Sequence, residues 1–416
     1  METRIKRHIA SVAIDYLHHF PIVFIEGARQ VGKSTLAKAL TDSDQGAVHV
    51  NFDDPVVLDA ARENPSLFVE QSKTTLVIDE VQRYPEIFLG IKASLENDRR
   101  PGRFLLTGSV GLLQVPNNPE SLAGRAVTLR LRGLSQGELM GVKEDFVSFL
   151  SQLDSPYPIH STLNRADYAR LIATGGFPEL RSKPDRIRRA WYRDYVERIL
   201  EKDVGIFPRG TQPSRLKSVL SLLVANHSGE LVYSRLANDL DVSMPSIKDS
   251  VSALERVFLV DKIPGWSPNL TKREIGRPKA FVSDSGLATH LMSESEESLS
   301  GITSTSFGPL LEGFVTAELM KQQGWSREHF DIFHYRDFKG LEVDVVLVLE
   351  GGGVIGIEVK ATSDPREAHT QGLKALKLRV GSAWRAGVIL HTGQKGVAFG
   401  DGIFALPIST LWDTSD

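Results

Sequence analysis

Apolar, β-branched runs recur along the first third of the chain, separated by stretches whose apolar positions repeat at helical spacing. Ile22 to Ile25, Ala47 to Phe52, Thr74 to Ile78, Arg103 to Leu106 and Ala126 to Leu131 read as strands. Helices between successive strands predict an α/β fold with a doubly wound parallel sheet, filling residues 1–143. Residues 144–212 read as helical, interrupted by a loop at Ser155 to Pro158 and a turn at Gly175-Gly176-Phe177-Pro178. Residues 213–297 change to short helices, Ser214 to Ala225, Ser234 to Leu240 and Ser243 to Leu259, followed by a β-ribbon from Val260 to Ile263. That order suggests a winged helix. In residues 298–416, Leu341 to Val348 is a strand with acids on alternate positions, and Val354 to Lys360 is its hairpin partner across Gly351 to Gly353.

Composition narrows the class. A chain of 416 residues has room for two or three cores. It has no cysteine, which excludes disulfides, Cys-based zinc sites and a cysteine nucleophile. No stretch has the length and apolarity of a membrane span, and Met1-Glu2-Thr3-Arg4 opens an amphipathic stretch, so a cytoplasmic protein without membrane contact is expected. The net charge of −3 lacks the basic excess of a dedicated nucleic-acid binder, so any contact with DNA must come from a local patch.

The densest chemistry lies between the first strand and the first helix after it. Gly27-Ala28-Arg29-Gln30-Val31-Gly32-Lys33-Ser34, followed by Thr35, matches the nucleotide-binding P-loop. Glycines at its ends let the backbone wrap an anion, with N–H groups and a helix N-terminus facing the phosphates. Lys33 then reaches the β- and γ-phosphates and Ser34 ligates Mg²⁺. The strand through Ile78 ends in Asp79 and Glu80, suited to hold Mg²⁺ and to polarise the attacking water. Thr107 or Ser109, ending the next strand, is placed to touch the γ-phosphate or that water. Arg125 is a candidate arginine finger, in cis or from a neighbouring subunit.

GARQVGKST, LVIDEVQ, LLTGS and ESLAGR, in this order and spacing, resemble the AAA-type ATP-binding proteins of bacteria and archaea that carry a C-terminal domain of uncharacterised function. The resemblance continues through Thr174 to Glu179 and into the last hundred residues. It implies ATP as the nucleotide, since no base-reading motif favours ATP over GTP, and a homo-oligomer with sites between subunits.

Two further regions carry charge. The helix from Ser243 to Leu259 is neutral, with Lys248 and Arg256 against Asp249 and Glu255. The presumed wing, Lys272 to Lys279, is basic and would grip a phosphate backbone without reading sequence, or else serve as a solvated loop. In the C-terminal hairpin, Asp344, Glu358 and Lys360 are predicted to converge, with Glu312 adding a charge from an amphipathic helix. Acid followed by E-x-K is similar to the PD-(D/E)xK nucleases. That likeness implies an α/β nuclease-like domain in which Asp344 and Glu358 ligate Mg²⁺ or Mn²⁺, Lys360 is the catalytic lysine and Glu312 the helical acid. Glu342-Val343-Asp344 departs from the usual Pro-Asp pair. A cross-strand ion pair explains the same hairpin without a metal.

The sequence therefore points to a Mg-dependent AAA-type ATPase joined through a helical region and winged helix to a nuclease-like domain, acting on DNA. Two alternatives stay open: an ATP-driven switch whose C-terminal domain binds a protein partner, and a nuclease-like domain that binds nucleic acid without cutting.

Overall fold

The computed structural model describes residues 5–42, 44, 46–110, 122, 124–153, 159–202, 212–269, 271, 273 and 276–413. The chain divides into two compact units. The first comprises residues 1–134 with the short segments Phe177–Glu179 and Arg256–Phe258. In chain order it carries α1 (Ala10–His19), β1 (Ile22–Glu26), α2 (Lys33–Thr41), β2 (Val48–Asn51), α3 (Pro55–Glu63), α4 (Pro65–Phe68), β3 (Leu76–Asp79), α5 (Ile87–Asn97), β4 (Phe104–Gly108) and β5 (Ala126–Arg130).

The five strands lie in the order β2-β3-β4-β1-β5, and every neighbouring pair is parallel. Burial follows from that order. β3 and β4 are buried throughout and β1 nearly so, which is why their sequences are unbroken apolar runs. β2, at the edge, alternates half-buried with exposed residues. Phe24, Ile78, Phe88, Ile91, Phe104 and Leu106 are fully buried in the core between sheet and helices. Parallel strands align their C-terminal ends, so the segments leaving β1, β3 and β4 share one sheet edge.

The second unit comprises residues 135–176, 180–255 and 259–416. It begins with α6 (Gln136–Met140), α7 (Phe146–Ser151), α8 (Arg165–Thr174) and α9 (Asp185–Lys202). Next come α10 (Pro213–Ala225), α11 (Tyr233–Asp239), α12 (Met244–Arg256) and the antiparallel pair β6 (Val260–Ile263) and β7 (Lys279–Val282). α13 (Ser285–Leu291), α14 (Glu296–Ser300) and α15 (Phe307–Gln322) lead into a mixed sheet. That sheet holds β8 (Phe330–Arg336), β9 (Glu342–Leu349), β10 (Val354–Lys360), β11 (Trp384–His391), β12 (Val397–Gly400) and β13 (Ile403–Pro407), in the order β12-β13-β11-β10-β9-β8. The hairpin predicted across Gly351 to Gly353 is present, with β9 antiparallel to β10, and α16 (Gln371–Val380) carries the chain from β10 to the parallel β11.

Buried polar side chains tie distant segments of this unit together. Gln322 accepts from the Phe146 N–H at 2.8 Å and donates to the Leu411 carbonyl at 2.6 Å. Glu318 accepts from the Gln136 N–H at 2.9 Å and pairs with Lys321 at 2.5 Å. Glu144, fully buried, accepts from the Gly137 N–H at 3.0 Å. Burial, and then the nearby charge of Glu318, push the Glu144 carboxyl up to about 8. The folded state thus keeps a proton that an unfolded glutamate, at 4.5, releases. This group's contribution is complete below about 4.5 and is lost as pH rises towards about 8. Glu144→Gln, which cannot ionise, is expected to flatten the fall of the unfolding midpoint between pH 5 and 8, read by circular dichroism. An unchanged slope would remove Glu144 as its source.

Candidate functional site

β1 delivers the chain at Glu26 into a loop that α2 closes from Lys33. Gly27 is required by space: a Cβ there would lie 2.1 Å from the Leu131 carbonyl oxygen. Gly32 has φ of 96°, in the left-handed region that favours glycine, and caps α2. Gln30 reaches the same region at φ of 65°. The Lys33 ammonium, 5% exposed, donates to the Gly27 carbonyl at 3.0 Å and the Ala28 carbonyl at 2.9 Å, so it lies folded over the loop. Ser34 and Thr35 occupy the first turn of α2, and Ala28, Arg29 and Val31 complete the loop. Arg7, which sequence reading overlooked, donates to the carbonyls of Val31 at 2.9 Å and Arg132 at 2.7 Å and braces the loop from behind. Gly27→Ala is expected to abolish nucleotide binding while most of the chain stays folded. Calorimetric titration beside circular dichroism checks this, and normal affinity would show that the loop does not need this close approach.

The ends of β3 and β4 meet beside that loop. The Thr107 hydroxyl donates to Asp79, which is 9% exposed, and accepts from the Glu80 N–H at 3.3 Å. Glu80 has φ of 55°, and this left-handed turn swings its carboxylate off the strand direction. Gln82 then holds it, donating to Glu80 Oε2 at 2.5 Å and to Ser109 Oγ at 2.9 Å. Ser109 Oγ lies 3.4 Å from the same carboxylate oxygen. Gly108 leaves room for this arrangement, since a Cβ there would come 2.8 Å from Phe24 Cζ and 3.1 Å from Gln82 Oε1. Asp79, Glu80, Thr107 and Ser109 thus form one hydrogen-bonded group. Gln82 is its organiser, visible in sequence only as the last residue of LVIDEVQ.

Arg125 is not part of this group. It precedes β5, its carbonyl accepts from the Ile22 N–H at 3.2 Å, and its guanidinium pairs with Glu96 at 2.9 Å. Ile22 begins β1 and the P-loop follows its end, so Arg125 sits at the opposite sheet edge, roughly 16 Å of strand away. A finger in cis is therefore not formed at Arg125. Glu120, Ser121 and Ala123 of the surrounding motif lie outside the described residues.

The C-terminal acids do come together, around an unforeseen partner. Lys279, counted in sequence with the basic wing, begins β7 and is 2% exposed. Its ammonium lies 2.7 Å from Glu312 Oε1 on α15, 2.5 Å from Glu342 Oε1 and 3.4 Å from Asp344 Oδ1 on β9. The other Asp344 oxygen accepts from the Val359 N–H at 2.9 Å. Lys360 pairs with Glu358 Oε1 at 2.5 Å, while the buried Glu358 Oε2 has no hydrogen-bond partner among the described residues.

Close backbone approach explains how a β-ribbon lysine reaches a distant helix. Gly313 has no Cβ, which would stand 2.3 Å from His227 Nε2, so the turn after α10 seats on α15 beside Glu312. Ser228 there donates its N–H to the Ala280 carbonyl and its hydroxyl to the Pro309 carbonyl, each at 3.0 Å, fixing β7 against the helix.

Electrostatics follow from burial. Glu312 is pushed well above the ordinary carboxyl range by desolvation and then by Asp344. Glu358 is raised to about 7 by desolvation and Asp344, against the pull of Lys360. Burial would lower both lysines, but the surrounding carboxylates raise Lys279 and Lys360 instead. Of the acids expected to hold a metal, Glu312 and Asp344 meet the Lys279 ammonium and Glu358 meets Lys360. No group of three His, Asp or Glu side chains suited to a metal ion occurs among the described residues.

α11, α12 and β6 border a cleft of about 780 Å³, lined among others by Tyr233, Lys248, Lys262, Arg273, Arg277 and Phe333. The Lys248 ammonium stands 5.7 Å from the Tyr233 ring centroid, and the Arg273 guanidinium 5.3 Å from that of Phe333. Lys262 is paired with Glu255 at 2.8 Å. Of the basic wing predicted from sequence, Arg273 and Arg277 line this cleft, Lys279 turns into the acidic cluster, and Lys272 and Glu274 lie outside the described residues.

Residues 19–140 match the model of an AAA domain. Residues 165–298 and 307–411 match two domains of unknown function, DUF8612 and DUF4143. The uncharacterized protein Rv2008c of Mycobacterium tuberculosis is 25% identical over 400 residues, which cover 96% of this chain and 82% of the relative. The uncharacterized protein Mb2031c of Mycobacterium bovis matches to the same extent. Among solved structures, the Walker-type ATPase PABY2304 of Pyrococcus abyssi is 14% identical with a TM-score of 0.46, over 70% of this chain and 96% of that one. The AAA match, the parallel sheet and the P-loop together identify an AAA-type P-loop ATPase domain in the first unit. No described helix is long and apolar enough to cross a membrane.

Proposed function

We propose that the first unit hydrolyses ATP with Mg²⁺ and that its nucleotide state controls a second unit that binds DNA. The observation carrying the first half is the Glu80 carboxylate, turned off β3 and oriented by Gln82 and Ser109 at the edge where the P-loop lies. In this reading the N–H groups from Gly27 to Thr35 cradle the phosphates, and Lys33 exchanges two loop carbonyls for phosphate oxygens. Ser34 and Asp79 supply the hard oxygen donors for Mg²⁺, which when bound neutralises developing phosphate charge. Glu80 orients the attacking water, and Thr107 and Ser109 relay the state of the phosphate to the strands behind them. Arg125, far from the loop of its own chain, acts in trans within a homo-oligomer in the cytoplasm.

DNA is favoured by the cleft in the second unit. Lys248, Arg273 and Arg277 line it beside the Tyr233 and Phe333 rings, against α11, α12 and β6, which with α10 and β7 follow in the order of a winged helix. The order of Asp344, Glu358 and Lys360 on the β9–β10 hairpin favours a nuclease-like mixed sheet that binds nucleic acid without cutting. The experiment is phosphate release from ATP with Mg²⁺ or EDTA, in wild type and Lys33→Ala, beside salt-dependent DNA affinity in wild type and Arg277→Glu. Mg-dependent turnover lost in Lys33→Ala, with DNA affinity that falls with salt and with Arg277→Glu, is the expected result. Turnover without DNA binding would move the second unit to the protein-partner reading, and absent turnover would end the first half.

A further inference from the structure

Four carboxylates, two ammonium groups and one guanidinium share one largely buried region of the second unit: Glu312, Glu342, Asp344 and Glu358 with Lys279, Lys360 and, 3.9 Å from Glu342, Arg336. Full ionisation would leave an excess of negative charge away from water, which is costly without a further cation or proton. Glu358 Oε2 adds an independent sign of a missing partner, since it is a buried carboxylate oxygen with no hydrogen bond among the described residues. Oxygen donors of this kind suit a hard divalent cation. Yet the point on which Glu312, Glu342 and Asp344 converge is taken by the Lys279 ammonium.

We propose that Lys279 is the resident cation of this acidic cluster and closes it to divalent metal. Lys279 is tethered, so its effective concentration at the cluster far exceeds that of a cation from solution. A divalent ion entering beside it would add like charge at close range, and one displacing it would leave a buried ammonium without its partners. The β7 strand, fixed to α15 through Ser228, holds the lysine in place. The inference rests on this geometry and stands whether or not the first unit hydrolyses ATP.

Manganese uptake by the full chain without nucleotide, read from loss of the free-ion electron paramagnetic resonance signal, tests the proposal. Wild type and Lys279→Arg are expected to take up no more Mn²⁺ than Asp344→Asn does. Lys279→Ala is expected to gain a bound Mn²⁺ and to lose it again when Asp344→Asn is added. Wild-type uptake that depends on Asp344 would overturn the proposal, as would a folded Lys279→Ala that binds none. If Lys279→Ala folds poorly, Mn²⁺ must raise its unfolding midpoint while leaving wild type unmoved, and no rise overturns the proposal equally.

Discussion

Glu80→Gln is expected to lower kcat for ATP by about 10²- to 10⁴-fold, the usual scale for removing a positioned general base, while ATP affinity stays near that of wild type. The side chain keeps its shape and its neighbours in this substitution. Gln82 and Ser109 still meet an oxygen, and the left-handed turn at residue 80 is untouched. What disappears is the carboxylate charge that, in the proposed reading, draws a proton from water. Because the proposed metal ligands Asp79 and Ser34 are left in place, nucleotide binding has no cause to change. Steady-state phosphate release with a fluorescent ATP analogue for affinity separates the two quantities. An unchanged kcat would assign water activation to another group.

Lys279→Met carries the other large effect, on stability. The methionine fills much the same space, but three carboxylates lose the cation within 3.4 Å of each. Removing one partner of a buried ion cluster leaves uncompensated charge, at about 3–5 kcal/mol. The loss depends on pH with a definite sign. Without the ammonium, the carboxyls of Glu312 and Glu358, already raised by burial and by Asp344, hold their protons to still higher pH in the folded state than in the unfolded one. Stability of the variant therefore falls as pH rises, and its deficit against wild type shrinks towards pH 5. Urea unfolding at pH 5 and pH 8 checks both size and direction. A deficit that is small at pH 8, or that grows on acidification, would show that Lys279 is not the compensating charge.

The features legible in the sequence are those whose signals are local. β1, the P-loop and α2 form one contiguous pattern in which apolar run, glycine spacing and helical period agree, and their positions match the structure closely. The β9–β10 hairpin is legible for the same reason, since alternation and the Gly-Gly-Gly turn act within a few residues. Lys279 was hidden because its partners are 33 and 65 residues away, and its sequence neighbours are those of an exposed basic loop. The space that admits it depends on Gly313 meeting His227, a contact no periodicity reports. Arg7 is similar, reaching the P-loop from 24 residues before Val31. Arg125 illustrates another gap. Its motif suggested chemistry, but strand direction puts the start of a parallel strand at the edge away from the P-loop. Gln82 lies near Glu80 in sequence, yet its role depends on the bend at residue 80 and on Ser109 from the neighbouring strand.

The most direct measurement is ATP binding and ATP hydrolysis recorded side by side in wild type, Lys33→Ala and Glu80→Gln with Mg²⁺. An ATPase site built from the P-loop and the β3–β4 edge requires wild type to bind and hydrolyse, Lys33→Ala to do neither, and Glu80→Gln to bind without hydrolysing. Hydrolysis that persists in both variants, or a wild type that binds ATP and never releases phosphate, would contradict it.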